Sequence, residues 1–308
     1  MKHFIKNILP FNNREEMPAW QFAIKKFLAF WLCYIVGMFA AEAIVILIHF
    51  ACGKNPLAGE IFDMQTMTLI KYYGYIIFIG ILLLYWKFIE KKPFSKMGIT
   101  PKIGSYFYGS LLAVFLLLLC VSVIIGIGGF TYLGIFENIN FTIILLFVGG
   151  FVIQGAMEEF LCRGLVFHTL KDKTNLSVAI GVSTLVFIIP HWSSLFADAA
   201  VYGVIGLINL VLISVIFCML TLKFENIWAA CGLHSVWNAI LYTILGLNVS
   251  GSEESANAIF HIESVGNNIR NGGMYGIEAS IITTGILFLA AVLTFSSALK
   301  TVRSPLPR

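Results

Sequence analysis

The sequence predicts an all-α fold, a polytopic membrane bundle of about eight transmembrane helices with both termini cytoplasmic. Three observations predict it. The chain is 59% hydrophobic and 12% charged, with a mean hydropathy of +0.89, whereas a soluble domain is nearer half apolar and a quarter charged. The apolar residues fall into runs long enough for a hydrocarbon core of roughly 30 Å. The lysines and arginines gather on one side of the membrane that those runs imply.

The elements follow in order. Residues 1–26 set Phe4, Ile5, Ile8, Leu9 and Phe11 among Lys2, Lys6 and Arg14. That pattern suits an interfacial helix on the cytoplasmic leaflet, with a solvated basic tail as the plainer reading. Spans are expected at about 27–51, 67–89, 105–128, 141–168, 177–194, 202–222, 228–248 and 275–299. The fifth is short, and the turn before the seventh, Lys223 to Asn226, is tight. Of the loops, 249–274 alone is long; its Ser, Glu, Asn and Gly suggest a mobile extracytoplasmic segment. Residues 300–308 form a short polar tail without a lipidation or retention signal. With no repeat, no soluble domain and no cleavable signal peptide evident, one transmembrane domain over 27–299 accounts for the chain.

Orientation follows from the charges. The N-terminal segment carries Lys2, Lys6, Arg14, Lys25 and Lys26, and the second loop carries Lys87, Lys91, Lys92, Lys96 and Lys102. Lys171, Lys173, Lys223, Lys300, Arg303 and Arg308 fall on that same side. Lys54, Lys71 and Arg270 fall opposite, beside Glu60, Asp63, Glu137, Asp198, Glu253, Glu254 and Glu263. The net charge of +4 therefore reflects topology and argues against a nucleic-acid partner. The cysteines, Cys33, Cys52, Cys120, Cys162, Cys218 and Cys231, sit in or beside spans without a CxxC pair, as packing residues do.

The polar residues inside the spans point to chemistry. Charge in hydrocarbon is costly and is usually kept for function, and Glu158, Glu159 and Arg163 interrupt an otherwise apolar run. At about 100° per residue, the two glutamates point different ways. Glu159 and Arg163 are i, i+4 neighbours and can pair. Glu158 shares a stripe with Gln154, Leu161 and Cys162 and is left to face a cavity as a candidate general base. Phe187 and His191 are also i, i+4 neighbours, with Pro190 loosening the helix between them. His234 and Asn238 share a face and can donate hydrogen bonds to a developing oxyanion, as amide hydrolysis needs. Counting about 1.5 Å per residue from the cytoplasmic ends makes His234 shallow, Glu158 intermediate and His191 deepest. They meet only if helices tilt or the fifth span starts below the surface.

Glu158-Glu159-x-x-x-Arg163, Phe187-x-x-x-His191 and His234-x-x-x-Asn238 resemble, in type, spacing and order, the three motifs of the CAAX-protease and bacteriocin-processing (CPBP, or Abi) family. That family includes the Ras-converting type of prenyl-protein endopeptidase. The resemblance covers about residues 105–248, the expected protease core. It implies an intramembrane endopeptidase with a conical cavity open toward the cytoplasm. It makes Glu158 the general base, His191 its water-positioning partner, and His234 with Asn238 the oxyanion site, with Glu159 and Arg163 in support.

The family has carried the label of metalloprotease, and a zinc site would draw on Glu158, His191 and His234. With no HExxH and ligands from three helices, a metal-independent glutamate mechanism is the favoured reading. The implied partners are the lipid bilayer and a membrane-associated protein or peptide, lipidated or not. Short loops and the lysine and phenylalanine content suggest a bacterial plasma membrane, where processing of a peptide, bacteriocin leader or membrane protein is expected. The competing readings are a non-catalytic immunity or scaffold protein of the same fold, and a transporter or channel. The latter lacks a matched pair of broken helices. Outside the motifs, Glu42 is expected at a polar helix–helix contact, His168 at the headgroups, and His3, His49 and His261 at interfaces or exposed.

Overall fold

In a computed structural model, which describes residues 2–251, 255 and 257–303, the chain is a helical bundle with one small sheet. A short amphipathic helix α1 (Lys2–Ile8) folds back on α2 (Ala19–Ala51). Phe4 stacks on Trp20 at 5.5 Å, and Asn7 donates to the Gln21 side chain at 3.1 Å. The first span therefore starts earlier than residue 27, because its two lysines find partners. Lys25 Nζ donates to the Arg14 carbonyl at 2.8 Å, and Lys26 Nζ pairs with Glu90 at 2.7 Å, both groups of that pair fully buried. Lys92 and Lys173 both pair with Glu15. The N-terminal segment is thus docked on the lysine-rich end of the bundle.

Helix α3 (Met64–Tyr85) begins at Asp63, whose carboxylate accepts from the Thr66 backbone N–H at 3.0 Å and its hydroxyl at 2.6 Å. Those bonds, the one from the Thr66 hydroxyl foremost, hold the Asp63 carboxyl below the usual carboxylate range. A π-helical turn, Trp86–Glu90, extends α3. Helix α4 (Ser105–Gly126) leads into β1 (Phe130–Ile135), and α5 (Phe141–Glu159), capped by Asn140, continues through π-helical Phe160–Phe167 into α6 (His168–Lys173). Helix α7 (Leu176–Ile188) passes through a 3₁₀ turn at Ile189–His191 into α8 (Trp192–Leu195); the break expected at Pro190 is there. Helices α9 (Ala200–Phe224) and α10 (Trp228–Ala239) are joined by a tight turn through Glu225 at φ +52°. A π-helical turn, Ile240–Ile244, extends α10. Strand β2 (Phe260–Ser264) precedes two 3₁₀ turns and α11 (Ile281–Arg303).

Among the described residues seven helices are long and apolar enough to cross a membrane. They fall on seven of the eight expected spans, and the chain is an integral multi-pass membrane protein. The exception is 228–248, whose helix is shorter. It packs against α4, α5 and α9, and residues 229–235 are all buried. A helix sheathed in protein has no need to match lipid thickness. The other helices ring it: α2, α3, α5, α4, α11, α9 and α7 touch in that cyclic order except where α10 bridges α5 to α4. Glycines set the close approach. A Cβ on Gly109 of α4 would fall on the Ala229 carbonyl, and one on Gly155 of α5 would come within 2.5 Å of Ser235 Oγ.

Part of the loop 249–274 has regular structure. Its β2 pairs antiparallel with β1, with a bulge between Tyr132 and Gly134. Asn271, fully buried, donates to the Gly129 and Gly266 carbonyls at 3.1 and 2.6 Å. Residues Ser252, Glu253, Glu254 and Ala256 of that loop, and 304–308 of the tail, lie outside the described residues. Two lone histidines are also corrected. His49 is buried, with Nδ1 on the Val45 carbonyl at 2.8 Å and its ring against Phe62. His168 is buried beside Gly98 and does not face outward as expected. Glu42 is exposed on α2, without the expected helix contact. His261 pairs with Glu263 at 2.9 Å, and the side chain of His3 lies outside the described residues.

Candidate active site

The sequence places Arg163 one turn beyond Glu159, and the π-helical stretch that follows α5 keeps the two together; such stretches are common at functional sites. Arg163 Nη1 donates to Glu159 Oε1 at 3.1 Å, and Nη2 donates to Ser214 Oγ of α9 at 2.8 Å. Thr184 of α7 shares that hydroxyl at 2.9 Å. The guanidinium lies between the rings of Phe187 and Phe217, 4.5 and 4.7 Å from their centroids. Arginine suits this place because its planar group can stack and donate in two directions at once. Both Glu159 and Arg163 are fully buried.

Glu159 does more than the sequence suggested. The same Oε1 accepts from His234 Nδ1 at 2.9 Å, and the imidazole stacks on Phe217 at 5.3 Å and 19°. A carboxylate on Nδ1 fixes the ring and leaves Nε2 for the cavity. His191 is fixed in the same manner by the Phe187 carbonyl, 2.8 Å from Nδ1. A carbonyl only accepts, so Nδ1 carries the proton and the neutral ring keeps Nε2 as an acceptor.

Glu158 looks the other way. It is half-buried and lines a cavity of about 400 Å³ with His191, Gln154, Leu161, Cys162 and Tyr34. A smaller adjoining cavity is lined by His191, His234, Asn238 and again Gln154. Gln154 Nε2 donates to Glu158 Oε1 at 3.2 Å, and its Oε1 accepts from Asn238 Nδ2 at 3.3 Å. One carboxamide therefore joins the Glu158 side to the Asn238 side. Sequence reasoning put Gln154 only on the stripe of Glu158; Ser214, Thr184 and Phe217 carried no signal of their own. Four predicted residues, Glu158, His191, His234 and Asn238, thus border two cavities that meet at His191 and Gln154. Glu159 and Arg163 stand behind them.

Part of the depth mismatch is met on α10, where the sequence had pointed to the fifth span. Ile227, just before it, donates to the Gly98 carbonyl at 3.1 Å, and a Cβ on Gly98 would meet both Ile227 and His168. The helix therefore starts level with His168, inside the Lys173 end of α6, which carries His234 down toward Glu159. The larger cavity is also lined by Lys71, Ser193, Ser194 and Gly251. None of the residues that line it comes from the lysine-rich loops.

The zinc ligands that the sequence offered do not gather. Among the described residues no group of three His, Cys, Asp or Glu side chains could hold a metal ion. His234 and Glu158 border different cavities.

No curated protein and no solved structure matches the chain. The family described as Rce1-like, type II CAAX prenyl endopeptidase, has a model that matches residues 140–240. That segment runs from the cap of α5 to the end of α10 and holds all three motifs. Over that segment the chain is similar to this family.

Proposed function

We propose that the chain is an intramembrane endopeptidase that hydrolyses a peptide bond of a membrane-associated protein or peptide. The observation that supports it most is the linkage of Glu158 to Asn238 through Gln154, with His191 bordering both cavities. In this reading Glu158 takes a proton from a water held by His191 Nε2, and the water oxygen attacks the scissile carbonyl. The carbonyl oxygen becomes an oxyanion and accepts from the second N–H of Asn238 Nδ2 and from Nε2–H of a doubly protonated His234. Glu158 then gives its proton to the leaving amine as the C–N bond breaks. Glu159, held by Arg163, orients His234.

The reading needs no metal: activity should survive dialysis against a chelator and should not rise with added zinc. The substrate class that fits a bacterial plasma membrane is a peptide precursor or membrane protein, prenylated or not. Proteomic comparison of membranes from cells carrying wild type or Glu158→Ala should show one uncleaved precursor, and purified Glu158→Ala should be folded but inactive on it. Cleavage by Glu158→Ala at the wild-type rate sinks the proposal. Function that survives loss of both Glu158 and His191 would point instead to a scaffold of the same fold.

A further inference from the structure

One carboxylate beyond the matched segment faces the same space. Glu278, in the 3₁₀ turn Ile277–Ala279, lines the smaller cavity with His191, His234 and Asn238. Both its oxygens are used. Oε1 accepts from Trp237 Nε1 at 3.2 Å; Oε2 accepts from the Ser250 backbone N–H at 2.6 Å and its hydroxyl at 3.0 Å. Trp237 precedes Asn238 on α10 and lines that cavity too. Ser250 lines both cavities, as Gln154, Phe187 and His191 do. It also sits at φ +50°, a conformation that a residue with a Cβ keeps only where its surroundings hold it. The turn itself is pinned, since Asn209 of α9 donates to the Glu278 and Ser280 carbonyls at 2.9 and 3.1 Å.

We propose that Glu278 is a positioning residue of the peptidase site, tying Trp237 on α10 to Ser250 at the junction of the two cavities. It thereby sets where Asn238 and His234 meet a carbonyl brought in from the Glu158 side. The inference rests on the peptidase reading. An ionised carboxylate suits the task, because each oxygen accepts a charge-assisted bond in a fixed direction.

The test uses the purified full chain and the precursor that accumulates in Glu158→Ala membranes. Glu278→Ala should lower kcat roughly ten- to a hundred-fold while KM stays within about two-fold. Glu278→Gln, with one acceptor oxygen left, should restore part of the rate. Trp237→Phe removes the indole N–H with part of the ring; it should lower kcat alone and add nothing in the Glu278→Ala background. If Glu278→Ala fails to fold, Trp237→Phe decides. Wild-type rates in both variants, or losses that simply add, overturn the inference, and if Glu158→Ala is inactive it falls alone. If no precursor accumulates when Glu158 is lost, the peptidase reading falls and takes this one with it.

Discussion

Replacing Arg163 by methionine tests the centre of the buried network. The change removes a charge that meets Glu159 at 3.1 Å and Ser214 Oγ at 2.8 Å, and that fills the gap between Phe187 and Phe217. Methionine keeps most of the bulk, so the main cost is electrostatic. Glu159 is left fully buried with His234 as its remaining partner. Orphaning one member of a buried pair costs about 3–5 kcal/mol, which for a chain of this size lowers the melting point on the order of 10 °C. Arg163→Lys keeps the charge but gives up the second direction of donation and the stacking; its cost should be about 1.5–3 kcal/mol, that of a charged hydrogen bond. Pairing Arg163→Met with Glu159→Gln removes the orphaned charge and still leaves an acceptor for His234. The double variant should therefore be more stable than Arg163→Met alone. The assay is thermal unfolding of the detergent-solubilised protein. A melting point for Arg163→Met within about 2 °C of wild type, or a double variant less stable than the single one, would refute the reasoning.

Three further outcomes are expected. Glu159→Ala leaves the His234 ring unoriented and should lower kcat roughly a hundred-fold with little change in KM, whereas Glu159→Gln should lose less; steady-state kinetics on the accumulated precursor decide it. Gly109→Ala forces a methyl onto the Ala229 carbonyl and should cost about 1–3 kcal/mol, while Gly285→Ala on α11, where a Cβ meets nothing within 4 Å, should stay within about 0.5 kcal/mol of wild type by unfolding. Glu90→Ala strips the buried Lys26 of its anion and should cost about 3–5 kcal/mol, most of it regained in Lys26→Met/Glu90→Leu.

The candidate site residues were legible because their chemistry is anomalous where they stand. Glu158, Glu159 and Arg163 in an apolar run, and a histidine on each of two later helices, are costly in lipid and stand out against leucine and phenylalanine. Gln154 was visible only as a helix neighbour of Glu158. Its second bond, to Asn238, spans 84 positions, and no local pattern encodes it. Glu278 fell at the start of the expected span 275–299 and was given no role there; the structure sets it in a 3₁₀ turn ahead of α11.

By itself the sequence determined that the chain crosses the membrane repeatedly, which helices carry charge, and that Glu159 and Arg163 pair, because hydropathy and helical spacing are local properties. Tertiary structure alone decided that α10 is sheathed by other helices and starts level with His168. It decided too that Glu159 serves His234 as well as Arg163, and that a far loop walls the cavity. Those features depend on how close backbones come at Gly109, Gly155 and Gly98, and such approaches are fixed only when the helices are packed.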